Sequence, residues 1–218
     1  MADGGGEVVA ISDAVYVAPH LAAQLAQKVA FYALIACWLV FVLTFWLRRP
    51  PPQARESKRD WTSLVGLFLQ GIAYYCVWRY PMQNKQILQV TFGSPVVEWG
   101  RTVLIVLIAA GSAWLVNASA RRLGKQWALA ARLVEGHTLI QDGPYRFVRN
   151  PIYAGMLGLL VATGLATMRP IQLMFAILLF ALGTFIRIRS EERLLRQAFG
   201  AEFEAYARKV PALIPGVY

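Results

Sequence analysis

The amino-acid sequence predicts an all-α integral membrane protein with five transmembrane helices, its N-terminus outside and its C-terminus cytoplasmic. Three observations carry that prediction. Of 218 residues, 57% are hydrophobic and only 16% charged, where a soluble domain carries about 25% charge. Charged residues bracket apolar runs of nearly constant length. Lysine and arginine alternate between rich and poor loops along the chain.

The runs are taken in order. Residues 29–47 lie between Lys28 and Arg48, 61–78 between Asp60 and Arg79, and 102–120 between Arg101 and Arg121. Residues 150–168 lie between Arg149 and Arg169, and 170–186 between Arg169 and Arg187. Crossing the hydrocarbon takes about 20 residues, with a range of about 17–25. Backbone groups in lipid must pair within their own segment, so each run is expected to be a helix. The first run starts late and ends on Arg48-Arg49-Pro50-Pro51-Pro52, a stop-transfer flank rather than the cleavage site of a signal peptide. The fourth and fifth runs are joined by Met168-Arg169-Pro170, a tight hairpin with Pro170 suited to a first helical turn. In the fourth run Ala154, Gly158, Ala162 and Ala166 recur every four residues. Small residues so spaced let two helices approach closely, which predicts tight packing on the third or fifth span.

Orientation follows from the basic residues. Residues 1–27 contain none, whereas 48–60 carry Arg48, Arg49, Arg55, Lys58 and Arg59. Segment 79–101 is poor again, and 121–149 and the tail from Arg187 are rich. The formal net charge of +10 therefore suits anionic lipid headgroups better than nucleic acid. Two parts are expected. Residues 1–120 hold an N-terminal segment and three spans. Residues 121–218 hold a cytosolic loop, the helical hairpin 151–186 and a cytosolic tail. In the tail, Leu194, Leu195, Ala198, Phe199 and Phe203 make the apolar stripe of a helix that Gly200 would interrupt.

The cytosolic pieces are too short for a doubly wound nucleotide-binding domain, and the chain has no P-loop, no strand–GxGxxG–helix unit and no HExxH. Cys37 and Cys76 each sit in an apolar run without metal-ligand spacing, and no metal site is expected. Candidate chemistry concentrates in two places. One is the stretch from His137 to Gly155, where Asp142-Gly143-Pro144 signals a turn and Asn150-Pro151 an N-cap with proline at the first helical position. Free N–H groups at that helix start, beside Arg149, would suit a carboxylate. A capped turn with interfacial anchors would use the same residues. The other place is Arg187-Ile188-Arg189-Ser190-Glu191-Glu192-Arg193, either a solvated ion-pair cluster or a source of one glutamate turned into the mouth of the bundle.

Three blocks in residues 120–218 make the chain resemble the isoprenylcysteine carboxyl methyltransferase and phospholipid methyltransferase superfamily. They are His137-Thr138-Leu139 with Gly143-Pro144-Tyr145, then Arg149-Asn150-Pro151-x-Tyr153-x-Gly155. The third is Glu191-Glu192 followed by Phe199-Gly200-x-Glu202-x-x-x-Tyr206-x-x-x-Val210-Pro211. The resemblance implies an S-adenosylmethionine-dependent methyltransferase with its site on the cytoplasmic side. It further implies a lipophilic or lipidated acceptor, arriving from the bilayer. It implies that His137, Thr138, Leu139, Gly143, Pro144 and Tyr145 line the cofactor and that Arg149, Asn150, Pro151 and Tyr153 form the floor. Glu191 or Glu192 would hold its ribose or amino group, with Arg149 and Glu192 nearest the transferred methyl. The family usually has histidine where this chain has Asn150. Asparagine cannot accept a proton near neutral pH, which suits an acceptor already anionic, such as a carboxylate. A phospholipid amine acceptor, an NADPH-dependent membrane sterol reductase and a small transporter are the rival readings.

Overall fold

The computed structural model describes residues 5–47, 56–84, 94–124, 132–134 and 138–214. Along the chain run α1 (Gly5–Trp46), β1 (Glu56–Arg59), α2 (Thr62–Asn84), α3 (Pro95–Leu123) and β2 (Arg132–Val134). A 3-10 turn (Gly143–Arg146), α4 (Pro151–Thr167), α5 (Pro170–Phe199) and α6 (Ala201–Lys209) follow. The expected all-helical frame is observed with one addition, since β1 and β2 pair antiparallel as a two-stranded ribbon. It joins segments of the two basic loops.

Among the described residues three helices are long and apolar enough to cross a membrane: Pro19–Trp46 within α1, α3 and α5. The α4 helix has 17 residues, about 25 Å at 1.5 Å each, the lower limit for a span. The second expected run also forms a helix, α2, but Gln70 and Arg79 dilute its hydropathy.

Two helix pairs frame the molecule. The α1 and α3 helices run parallel, with the Thr102 hydroxyl donating to the Ala26 carbonyl at 2.9 Å and the Asn117 amide to the Thr44 hydroxyl at 2.7 Å. The α2 and α5 helices run antiparallel and cross at Gly66 and Gly183. A Cβ on Gly66 would lie 2.5 Å from the Gly183 carbonyl oxygen, so only glycine lets the backbones meet there. Between the pairs lies α4, with ten of its residues buried. Leu159, Ala162 and Ala166 pack with Leu34, Ala30, Ile105 and Ala109, while Leu160 packs with Ala73, Val77, Ala176 and Phe180. A helix apolar on every face is stable only when surrounded, and α4 is that helix.

Of the two partners expected for the small-residue stripe, α3 is the close one. A Cβ on Gly158 would collide with the Ser112 hydroxyl, and one on Gly155 would lie 2.6 Å from a Val116 methyl. The hairpin differs from expectation at its far end. The α5 helix does not stop near residue 186 but continues to Phe199, and the chain breaks at Gly200 (φ +49°) before α6. Charge marks where a helix leaves an apolar medium, not where its backbone hydrogen bonds end.

Candidate functional site

The N-terminal end of α4, the last three turns of α5, and α6 with the segment after it converge on one cluster. Arg149 immediately precedes α4 and is largely buried. Its Nε donates to Glu192 Oε1 at 2.9 Å, and its Nη1 donates to the carbonyls of Ala207, at 2.8 Å, and Val210. The guanidinium thus binds a carboxylate on α5 and closes the last turn of α6, where carbonyls lack helical partners. Glu192 is buried, and its other oxygen meets Arg196 at 3.4 Å.

Asn150 occupies the N-cap position of α4 with Pro151 at the first helical position, as expected, but its side chain does not cap the helix. Its amide donates to the Ala212 carbonyl at 3.0 Å. The backbone N–H groups of Arg149 and Asn150 donate to Pro211 at 2.9 Å and Ala212 at 3.0 Å. These bonds tie the tail to the two residues that precede α4. The Tyr206 hydroxyl donates to the Tyr145 carbonyl at 2.6 Å. Burial pushes the Tyr206 phenol up to about 12, with Arg149 pulling the other way, so it stays a donor throughout the neutral range. Burial also holds the Tyr145 phenol well above its ordinary value.

Thr138, Leu139, Ile140, Tyr145, Arg149, Asn150 and Glu192 line a cavity of about 80 Å³ together with Leu195, Phe203 and Tyr206. Six of the residues singled out from sequence therefore share one wall: Thr138, Leu139, Tyr145, Arg149, Asn150 and Glu192. His137 lies outside the described residues. Gly143 and Pro144 open the 3-10 turn (Gly143 φ +58°), where Gly143 lies against Arg122, itself paired with Asp142. Pro151 starts α4 and is buried. Tyr153 and Glu191 form a separate cluster. The Tyr153 hydroxyl donates to Glu191, Arg187 lies 3.5 Å from the same carboxylate, and its guanidinium stands 5.2 Å above the Tyr153 ring. Arg187 also reaches Gln70 of α2 at 3.4 Å, and Gln70 bonds Thr184 at 2.8 Å.

The cavity residues that sequence reasoning did not single out as site residues are Leu123, Ile140, Leu195, Phe203 and Tyr206. Two signals were present. Leu195 and Phe203 belong to the apolar stripe of the tail, and Tyr206 stands in the third motif block. A stripe says that a face is covered, not that it borders a cavity. Chemically, the wall pairs one carboxylate and one guanidinium with an amide, two phenols and an apolar shelf. That set suits a ligand with hydroxyl or ammonium donors and an apolar or aromatic body. Among the described residues no three His, Cys, Asp or Glu side chains come together as a metal site would need.

Residues 101–202 match the family described as phospholipid methyltransferase. The chain is 36% identical over 87 residues to protein-S-isoprenylcysteine O-methyltransferase B of Arabidopsis thaliana, covering 39% of this chain and 44% of that protein. It is 36% identical over 107 residues to the cobalt-zinc-cadmium resistance protein CzcN of Cupriavidus metallidurans, covering 46% and 47%. A third relative, the nickel-cobalt-cadmium resistance protein NccN of Alcaligenes xylosoxydans, is 33% identical over 145 residues, covering 64% and 63%. The chain thus spans about half the length of the first two of these relatives.

Proposed function

We propose, from the premise that residues 101–202 match the phospholipid methyltransferase family, that the protein is a membrane-embedded, S-adenosylmethionine-dependent methyltransferase. Its acceptor is lipophilic, with a carboxylate as in isoprenylcysteine methylation favoured over an amine. It has five spans, an external N-terminus and a cytoplasmic site. The observation that carries the reading is the cavity at Arg149 and Glu192, which lies largely within the matched segment and is walled by residues of all three motif blocks.

The donor set fits such a cofactor. The buried Glu192 carboxylate suits hydroxyl or ammonium groups, and the Leu139, Leu195 and Phe203 surface suits the adenine. At about 80 Å³, against roughly 300–1,000 Å³ for whole-ligand pockets, these residues accommodate one end of the molecule. The bound cofactor supplies an electrophilic methyl group on a sulfonium. The chain's own residues supply alignment and electrostatics. Arg149 orients Glu192 towards the cavity, and Tyr206 holds the Tyr145 backbone in place. Asn150, with no basic nitrogen, takes no proton from the acceptor. That supports an acceptor that arrives as an anion.

The test is ligand stabilisation of the detergent-purified chain. S-adenosylhomocysteine at a hundred times its dissociation constant should add about 2.7 kcal/mol of stability. Glu192→Gln should weaken its binding roughly tenfold to 150-fold, the loss of one charged hydrogen bond. Methyl transfer to a prenylated cysteine carboxylate should exceed transfer to phosphatidylethanolamine. Stabilisation by NADPH and none by S-adenosylhomocysteine would overturn the proposal.

A further inference from the structure

At the opposite end of α4, about 25 Å from Arg149 by the rise of its 17 residues, lies a larger cavity. It has a volume of about 310 Å³, within the range of small-ligand pockets, and opens between α3, α4 and α5. Leu165, Met168, Leu173, Ile177 and Leu178 line it, and the charged side chain on its wall is Arg101. Arg101 is six residues into α3, pairs with the fully buried Glu98 at 3.3 Å, and is itself largely buried. A second arginine, Arg169, is exposed and lies in sequence between two lining residues, Met168 and Pro170. Glu98 balances Arg101, and Arg169 adds a net positive charge beside the lining residues.

We propose that this cavity binds an anionic phospholipid, with one acyl chain between α3 and α5 and the phosphate at Arg101 and Arg169. Two features choose the occupant. The α3 and α5 helices are both long and apolar enough to cross a membrane, so a groove open between them meets hydrocarbon. Leu178 and Met174 are exposed on its outer side, as a lipid-facing wall requires. A guanidinium presents a planar fork of donors that matches phosphate oxygens, and an arginine at the edge of an apolar surface holds its head at headgroup level. The site needs nothing from the cluster around Arg149 and stands whether or not the chain transfers methyl groups.

Native mass spectrometry of the full chain tests this, in detergent micelles doped equally with phosphatidylglycerol and phosphatidylcholine of identical chains. The wild type should retain phosphatidylglycerol in preference. Arg169→Gln should lower that preference about fivefold, since one basic side chain contributes about 1 kcal/mol at an anionic surface. Leu178→Trp fills the groove and should lower retention of both lipids while leaving their ratio unchanged. Arg101→Gln should act like Arg169→Gln. Because it leaves Glu98 buried without its partner, it is paired with the double variant Arg101→Gln/Glu98→Gln. Equal retention of the two lipids by the wild type would overturn the proposal. So would a ratio that Arg169→Gln and the double variant both leave unchanged, or undiminished retention by Leu178→Trp.

Discussion

The two ends of the bundle each bury an arginine–glutamate pair, and the pairs are built differently. Arg101 and Glu98 are three residues apart on α3, meet at 3.3 Å, and have side-chain exposures of 12% and 0%. Arg149 and Glu192 are equally buried, at 12% and 8%, meet at 2.9 Å, and lie 43 residues apart in sequence. The first pair neutralises charge within a single helix, and any α3 helix would bring it together. The second exists only because α4, α5 and α6 have docked, and its arginine also holds two carbonyls of α6. Removing one member of a buried pair leaves an uncompensated charge at either end. At the Arg149 end it also unties three elements.

Breaking that contrast begins with Arg149→Ala. It should cost about 3–5 kcal/mol, the range for orphaning one member of a buried ion pair, read as thermal unfolding in detergent without ligand. Adding Glu192→Leu should restore part of the loss, because an apolar replacement removes the orphaned charge. Full stability of Arg149→Ala would mean that the tail docks without it. Glu98→Gln should cost less, about 1–3 kcal/mol, since glutamine keeps one acceptor for Arg101. A larger loss than that of Arg149→Ala would reverse the ranking of the two ends.

The smallest effect sharpens the comparison through pH. Tyr206→Phe removes one hydrogen bond to Tyr145 and should cost about 1 kcal/mol. The folded phenol titrates at about 12, above the ordinary value of about 10. Its contribution is therefore complete below about pH 10 and lost as pH rises from about 10 through about 12. Unfolding measured across that interval should show a shallower alkaline decline in Tyr206→Phe than in the wild type. An unchanged slope would mean that the Tyr206 phenol is not buried in solution, since burial is what raises it.

Much of the helical frame was legible because its signals are local. Charges bracket the apolar runs, Pro151 and Pro170 start α4 and α5, and Gly200 ends α5. The small residues of α4 announced a close neighbour, but α3 and α5 were equal candidates until Ser112 proved to lie over Gly158. The α5 helix continues past residue 186, where Arg187 reads as the exit from an apolar medium. In the fold it is buried against Gln70 and Glu191, and a charge can be buried wherever partners from other helices meet it. The ribbon of β1 and β2 joins loops far apart in sequence, and neither has the alternating pattern that marks a strand.

The candidate site divides along the same line. Sequence alone placed Arg149, Asn150, Tyr153, Glu191 and Glu192 near the ends of two apolar runs, since charged residues bracket where each run stops. Only the tertiary structure decided which glutamate lines the cavity. Positions 191 and 192 differ by about 100° around α5, and that rotation is set by how α5 packs on α2 at Gly66 and Gly183. It turns Glu192 to Arg149 and Glu191 to Tyr153. No local pattern encodes that choice, because the side chains that make it come from helices far apart along the chain.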